Sequence, residues 1–299
     1  MMQNKKSVAI FGSGNIGMDL LFKLKNSSIL EVTQFIGRDA ESKNLLHAKS
    51  LGYNTFSNSI KAITENPYAC DIVFDATNAD THKLVAPILK KLNKFTIDLT
   101  PSRIGKMCIP CLNGDECLEE DDINMVTCGG QSVVPLAFAI AKACGGVNYI
   151  ESNSVIASRS AGPGTRANID EYIQTTAYAL KKFTNVHNTK SMIVLNPMEP
   201  PIIMRNTLYI ETDNPDVEKA TEAVLKMESV IQKYVPGFKI NILPILYGKN
   251  ILTVSVQVVG SGDFLPAYAG NLDIITCAAV EIAERYANKI FEKEGACLL

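Results

Sequence analysis

The sequence predicts an α/β protein in which a Rossmann-type dinucleotide-binding domain is followed by an α+β domain. Three observations predict it. A short β-type run at Ser7–Phe11 enters the glycine turn Gly12-Ser13-Gly14-Asn15-Ile16-Gly17 and leaves it as a helix-like segment. β and α patterns then alternate through roughly the first 125 residues, and after Cys128 the pattern changes to longer strands of alternating polarity.

Each element follows from local chemistry. Ile16, Leu20, Leu21 and Leu24 recur at helical spacing up to the break at Asn26-Ser27-Ser28. A second β-type run, Glu31–Ile36, ends at Gly37-Arg38-Asp39. The strand-like Asp71–Asp75, the helix-like Asp80–Leu92 and the strand-like Phe95–Leu99 complete an alternation that favours a mostly parallel, doubly wound sheet. Beyond Cys128, a helix is expected over Ser132–Cys144, a strand over 148–158 and, after a Gly-Pro-Gly loop, a helix over Asp170–Phe183. β-type runs follow at 191–195, 202–210, 238–246 and 251–259, with Asn214-Pro215 expected to open a helix between the middle two. The short turn at 247–250 makes the last two runs an antiparallel hairpin, so this half has a sheet that helices can cover on one face. Residues from about Asn271 to Phe291 read as one long helix.

The chain has 299 residues, 46% apolar and 20% charged, enough for two domains that each bury a core. Its net charge of −2, with no block of lysine or arginine, leaves no electrostatic footprint for nucleic acid or an anionic membrane. The apolar run at the N-terminus is too short for a signal-peptide core and none reaches membrane-spanning length, so the cytoplasm is the expected compartment. The eight cysteines are then expected as free thiols, most of them buried. Cys108 and Cys111 form a C-x-x-C without a second pair, and it reads as packing; no metal site is expected.

Gly12, Gly14 and Gly17 supply the G-x-G-x-x-G spacing in the setting that gives it meaning, after a strand and opening a helix. The first allows the tight turn, the second lets a pyrophosphate approach the backbone, and the third lets helix and strand pack closely. Ser13, Asn15 and Ile16 complete the turn. Asp39, about twenty residues beyond it, can accept hydrogen bonds from an adenosine ribose, which favours NAD, although Arg38 can equally accommodate the extra phosphate of NADP. NAD is the expected cofactor and NADP stays open.

Cys128 precedes Gly129-Gly130-Gln131 and a helix. A helix N-terminus stabilises a thiolate, and the two glycines are expected to expose amides to a developing oxyanion. A nucleophilic cysteine in a dinucleotide-binding chain suggests aldehyde oxidation through a thioester. The three histidines, His47, His82 and His187, read as solvated residues on surface helices or polar loops. Activation of Cys128 is therefore expected from the helix end, nearby cations or a bound water.

Seven ordered blocks give a further expectation: VAIFGSGNIG at 8–17, FDATNA at 74–79, IDLTPSRIG at 97–105, NMVTCGGQ at 124–131, SAGPGTRANIDE at 160–171, NPMEPPIIMRNT at 196–207 and LPAYAGNLDI at 265–274. With them the chain resembles the acylating acetaldehyde dehydrogenases over nearly its whole length. The resemblance implies conversion of a short aldehyde (acetaldehyde or propanal), coenzyme A and NAD to acyl-CoA and NADH, with Cys128 as the acyl-thioester nucleophile. It implies cofactor contacts from Ser13–Ile16, from Ser160, Ala161, Gly162, Pro163, Gly164, Thr165, Arg166, Ala167 and Asn168, and from Asn271. Arg166 is read as available for a phosphate or carboxyl group. The implied fold has a first domain of residues 1–128, to which a C-terminal helix, 271–299, returns, and a catalytic and dimerisation domain of 129–270. The implied partners are a second copy of the chain, in a homo-oligomer, and a 4-hydroxy-2-oxovalerate aldolase of aromatic meta-cleavage pathways.

One position departs from the family pattern. The IIMRNT block is expected to carry an aspartate where this chain has Asn206; an amide can orient a water or substrate but takes no proton near neutral pH. Asn206 is therefore a candidate catalytic residue of altered character. Two other readings stay open: a phosphorylating or semialdehyde dehydrogenase of similar architecture, and a catalytically weakened cofactor-binding subunit of an aldolase complex.

Overall fold

The structure is a computed structural model that describes residues 5–296. It divides into two compact units, one formed by the chain up to Met125 together with the segment from Thr276 onward, the other by Val126–Ile275.

The first unit is built on a seven-stranded sheet in which every pairing is parallel. Its elements are β1 (Lys6–Phe11), α1 (Asn15–Leu24), β2 (Leu30–Ile36), α2 (Lys43–Ser50), β3 (Thr55–Phe56), α3 (Lys61–Glu65), β4 (Ile72–Asp75), α4 (Ala79–Lys91), β5 (Phe95–Asp98), β6 (Lys106–Met107), α5 (Pro110–Cys117) and β7 (Asp122–Asn124). The strand order β3-β2-β1-β4-β5-β7-β6 reverses between β1 and β4. In such sheets ligands bind in the crevice outside the C-terminal strand ends at that reversal. Residues Val8, Ile10, Ile72, Val73 and Phe74 are fully buried, which explains why these strands read as nearly continuous apolar runs. The helices α2, α3 and α5 and the two-residue strands β3 and β6 have no counterpart in the periodicity of the sequence.

The second unit contains α6 (Cys128–Cys144), β8 (Val147–Ala157), α7 (Pro163–Ala167), α8 (Ile169–Thr184), β9 (Asn188–Asn196), β10 (Met204–Thr212), α9 (Val217–Ile231), β11 (Phe238–Tyr247) and β12 (Ile251–Val258). Its sheet runs β11-β12-β10-β8-β9, antiparallel except for the β8–β9 pair. Met204, Asn206, Leu208 and Ile210 of β10 are buried and Arg205 and Tyr209 exposed, the alternation of a sheet covered on one face. The cover includes α6, whose Val133, Val134, Leu136 and Ile140 are wholly buried, each stabilising the unit by roughly 1.5–3 kcal/mol.

Two helix starts differ from expectation. α6 begins at Cys128, four residues before the expected Ser132, because the Thr127 side chain accepts the Gly130 N–H and caps it. α9 begins at Val217, capped by Asp216 through the Lys219 N–H; Asn214-Pro215 lies ahead of the cap.

The last helix, α10 (Gly270–Ala296), passes from the second unit into the first at Thr276. From there it is anchored in the first unit. Thr276 donates to Asp19 at 2.6 Å, Arg285 donates to the Pro110 carbonyl at 3.1 Å, and the Tyr286 ring stacks on Phe95 with centroids 3.9 Å apart.

Candidate functional site

In the first unit, β1 turns at Gly12 with φ +127°, and a Cβ there would stand 2.5 Å from the Ala76 carbonyl oxygen in the loop after β4. A Cβ on Gly17 would stand 1.9 Å from the Gly12 carbonyl, so helix α1 can approach β1 only through glycine. Gly14 differs. Its missing Cβ faces open space, and α1 starts beside it without a side-chain cap or an acidic residue in its first turn. Among the described residues the leading amides of that helix, at Asn15, Ile16 and Gly17, meet no acceptor, so the cradle fits the pyrophosphate of a dinucleotide. Ser13 is held from the other side, its carbonyl accepting the Asn44 amide at 3.0 Å.

Asp39 lies three residues beyond β2, exposed at the surface, with Oδ1 accepting the Glu41 N–H at 3.0 Å. That turn fixes the carboxylate without burying it.

The cysteine is presented by strain and capping together. Val126, a β-branched residue, is held at φ +63°, and Thr127 then caps α6 with its Oγ1 2.8 Å from the Gly130 nitrogen. Cys128 is the first helical residue and half-buried. Burial pushes its thiol up to about 11; a hydrogen bond with Tyr172 and the amides of Gly129 and Cys128 pull the other way and are outweighed. The expectation of a thiolate stabilised by the helix end is thus corrected: the helix end acts, but desolvation is the larger effect. The expectation about the glycines is also corrected, since the Gly130 amide is already taken by its cap. Gly129 instead makes room, because a Cβ there would stand 2.0 Å from the Tyr172 hydroxyl.

Around the thiol, Sγ lies 3.9 Å from the Tyr172 hydroxyl, which donates to Ser154 Oγ at 3.2 Å. Ser154 is paired across the sheet with Asn206. Directly opposed residues share a face, so β10 carries the Asn206 side chain to the side on which Tyr172 meets Ser154. Asn206 is 1% exposed, and neither its Oδ1 nor its Nδ2 meets a hydrogen-bonding partner among the described residues. Such a group costs about 1–3 kcal/mol when left unsatisfied.

The segment 160–168 is a braced loop. Ser160 is buried and donates to the Ala157 carbonyl at 2.8 Å, Ala161 is buried, Gly162 leads into the helical turn Pro163–Ala167 that includes Gly164, Thr165 and Arg166, and Asn168 donates back to the Gly164 carbonyl at 2.7 Å. Arg166 is correspondingly occupied. Its Nε donates to the Ala161 carbonyl at 3.1 Å and its Nη2 to the Ser158 carbonyl and hydroxyl at 3.0 and 2.8 Å. The reading of Arg166 as available for an anion is corrected to that of a residue shaping its own loop. Asn271, in the first turn of α10, is 1% exposed and its Oδ1 has no partner among the described residues.

His82 overturns the expectation of three solvated histidines. His47 and His187 are exposed, but His82 is wholly buried in the first unit. Its Nδ1 lies 2.9 Å from Asp75 and its Nε2 lies 3.2 Å from Asp122 and 3.5 Å from Asp98. Burial opposes the charged ring, yet hydrogen bonds to Asp122 and Asp75 and the charge of Asp98 prevail and raise its pKa to about 10. The cluster is thus a buried imidazolium among carboxylates. Asp98 in turn accepts from Ser102 at 2.5 Å and from Asn124 at 2.7 Å. Among the described residues no group of three or more histidine, cysteine, aspartate or glutamate side chains is arranged to hold a metal ion.

Residues 128–266 match the model of a family described as prokaryotic acetaldehyde dehydrogenase, dimerisation. Among curated proteins named acetaldehyde dehydrogenase, one from Geobacillus stearothermophilus is 48% identical over 286 residues, which is 95% of this chain and 97% of the relative. One from Carboxydothermus hydrogenoformans is 47% identical over 99% of this chain and 98% of its own. The chain belongs to the acetaldehyde dehydrogenase family. Solved structures with a similar fold include aspartate semialdehyde dehydrogenase with NADP from Candida albicans, with a TM-score of 0.70, 10% identity and coverage of 95% of this chain and 99% of that one. Another is aspartate semialdehyde dehydrogenase II from Vibrio cholerae, with a TM-score of 0.68, 14% identity and coverage of 94% and 98%. The acetaldehyde dehydrogenase family thus shares its architecture, at low identity, with the semialdehyde dehydrogenases. Among the described residues of this member no helix is long and apolar enough to cross a membrane.

Sequence reasoning missed Thr127, Ser154, Tyr172 and the His82 cluster. Thr127 carries the ordinary signal of a threonine ahead of a helix. His82 also had one: Ala79, His82, Val85, Ala86 and Leu89 form the buried stripe of α4 at helical spacing. Tyr172 and Ser154 had none, since only the packing of α8 and β8 against α6 brings them to the cysteine.

Proposed function

We propose that the protein is an acylating aldehyde dehydrogenase that oxidises a short aldehyde, acetaldehyde or propanal, with NAD and transfers the acyl group to coenzyme A through a thioester on Cys128. The carrying observation is the placement of Cys128 as the first residue of a capped helix, behind a strained Val126 and beside Tyr172. Its sulfur adds to the aldehyde carbon, the thiol proton passes to solvent water, and the carbonyl oxygen takes the negative charge. NAD held in the cradle at Gly12–Gly17 would supply the hydride acceptor that this oxidation to the thioester requires. The thiolate of coenzyme A then attacks the thioester carbon, and the Cys128 thiolate departs.

The chain's own residues have distinct parts in this reading. The cradle at Gly12–Gly17 holds the pyrophosphate, Asp39 accepts from the ribose, and the backbone of Ser160–Asn168 together with Asn271 contacts the cofactor. Exposed and pinned at the surface, Asp39 would repel a ribose phosphate, which favours NAD over NADP. The deciding assay is NADH formation from acetaldehyde with and without coenzyme A, run in parallel with NADP. Sustained turnover is expected only with coenzyme A and faster with NAD. Turnover sustained instead by inorganic phosphate would replace this reading with the phosphorylating one.

Asn206 orients the acyl acceptor, using the amide that has no partner among the described residues. Asn206→Leu is expected to keep or raise stability by about 1–2 kcal/mol, because it removes a buried polar group at similar volume, while thioester breakdown slows at least about tenfold. Single-turnover acylation followed by release with coenzyme A measures the second effect; unchanged release would remove Asn206 from the site.

The active form is a homodimer that forms through the uncovered face of the second unit's sheet. Tyr209, Ile245 and Tyr247 are 39–71% exposed there, within the residues matched by the dimerisation model. Ile245→Asp together with Tyr247→Lys is expected to convert the dimer to a monomer by light scattering at micromolar concentration; a dimer that persists would locate the interface elsewhere. An aldolase that releases the aldehyde is the further partner implied by the resemblance. Its co-purification from the native host tests this, and isolation of the homo-oligomer alone counts against it.

A further inference from the structure

We propose that Tyr172, anchored on Ser154, is the positioning residue of the Cys128 sulfur: it fixes the thiol in the resting enzyme and donates its hydroxyl proton in a hydrogen bond to the thiolate when the thiol ionises. The inference rests on Cys128 being the nucleophile.

Two separate ties hold the Tyr172 hydroxyl relative to the sulfur. One is its own bond to Ser154 Oγ at 3.2 Å, which fixes the end of the side chain to β8. The other is at the base of the residue. The Tyr172 carbonyl accepts from Thr176 Oγ1 at 2.8 Å, and that hydroxyl lies 2.7 Å from Thr127 Oγ1, the cap of the helix that carries Cys128. The cysteine's helix and the tyrosine's helix are therefore joined beside the thiol by paired threonines, all of them buried. Between them, the position of a Gly129 side chain is taken by the phenol oxygen. A phenylalanine would fill the ring space equally well, so packing alone gives no reason for a hydroxyl that excludes any Cβ from residue 129.

The chemistry assigns the hydroxyl a donor's part. In the resting geometry the S–H donates to Tyr172, which donates onward to Ser154. Once the thiol loses its proton the sulfur only accepts, and the phenol turns its O–H toward it. Tyr172 does not take the thiol proton itself: burial, with Cys128 beside it, pushes its own ionisation well above 10. The groups that act on the thiol are this hydroxyl and the amides of Cys128 and Gly129, so removal of the hydroxyl removes the one side-chain donor among them.

The test is the rate at which iodoacetamide alkylates Cys128 in the full-length protein between pH 7 and 10, read by mass spectrometry of the Cys128 peptide, for the wild type, Tyr172→Phe and Ser154→Ala. Loss of one charge-assisted hydrogen bond raises the thiol pKa by about one unit, and the higher intrinsic nucleophilicity of the more basic thiolate returns part of the loss. Alkylation of Tyr172→Phe is thus expected to be about three- to tenfold slower than wild type at each pH, with a smaller change in the same direction for Ser154→Ala. In turnover, kcat falls while KM for NAD is unchanged. Ser154→Ala keeps the tyrosine and serves where the phenylalanine variant folds poorly. Alkylation rates equal to wild type in the folded variants overturn the proposal. The two readings fail separately: slowed alkylation in a protein whose Cys128→Ala variant still turns over keeps Tyr172 as the positioning residue and discards the nucleophile, whereas a dead Cys128→Ala variant with unchanged alkylation in Tyr172→Phe does the reverse.

Discussion

Replacing Cys128 by alanine is expected to lower coenzyme A-dependent NADH formation by about 10⁴-fold or more, because without the sulfur no covalent intermediate can form. Removing only Sγ from a half-buried first-turn position leaves the Thr127 cap intact, so the fold and NAD binding should survive. Intrinsic NAD affinity by calorimetry and the aldehyde-dependent rate, measured on the same preparation, separate loss of chemistry from loss of structure. The pH dependence of the wild type sharpens the expectation. With its thiol pushed up to about 11, the free enzyme holds only on the order of 10⁻⁴ of Cys128 as thiolate at neutral pH. Alkylation of the free enzyme should climb about tenfold per pH unit from 7 to 10, with no plateau near neutrality. A plateau there would show that the helix end outweighs burial after all.

This contrast marks where the sequence stopped being informative. The glycine turn was legible because its geometry is local: strand, turn and helix are contiguous, Gly17 answers a contact within that stretch and Gly12 one with the loop after β4, while Gly14 leaves open space. The parallel sheet was legible for a similar reason, since strands buried on both faces must be apolar throughout. The environment of Cys128 was only half legible. The helix end is a property of adjacent residues, but the burial that outweighs it is a product of the tertiary fold, which also sets Tyr172, forty-four residues away, beside the sulfur. Arg166 misled in the opposite way, since a cation in a glycine-rich loop looks free for an anion until the loop's own carbonyls are seen to consume it. His82, read as a solvated residue of a surface helix, has the exposed pair Asp80 and Lys83 beside it, while its neighbours on the buried stripe place it inside.

The largest expected effect on stability follows from that histidine. His82→Leu leaves Asp75, Asp98 and Asp122 around an apolar side chain, and uncompensated buried charge costs about 3–5 kcal/mol. For a unit of this size that lowers the melting temperature by on the order of 10 °C. The pH dependence gives the change its signature. The folded pKa of His82 is raised to about 10 from 6.5, so its contribution is fully present below pH 6.5 and is lost as pH rises through 10. Across that window the native state holds a proton that the unfolded state has released, and stability falls with rising pH; the leucine variant lacks this fall. Asp98 acts in the same sense at lower pH. Burial raises its pKa to about 7 from 3.8, against the opposing charge of His82, so its contribution is present below 3.8 and lost as pH rises through 7. Without the imidazolium, Asp98 should hold its proton to still higher pH, which offsets part but not all of the lost His82 contribution, so the stability deficit of His82→Leu should be at least as large at pH 5 as at pH 8. Adding Asp98→Asn to His82→Leu should recover part of the loss at pH 8, since it removes one of the stranded charges. Thermal unfolding of the single and double variants at both pH values measures all of this, and a His82→Leu variant within about 1 kcal/mol of wild type at pH 8 would mean that the ring is neutral and the carboxylates share protons among themselves.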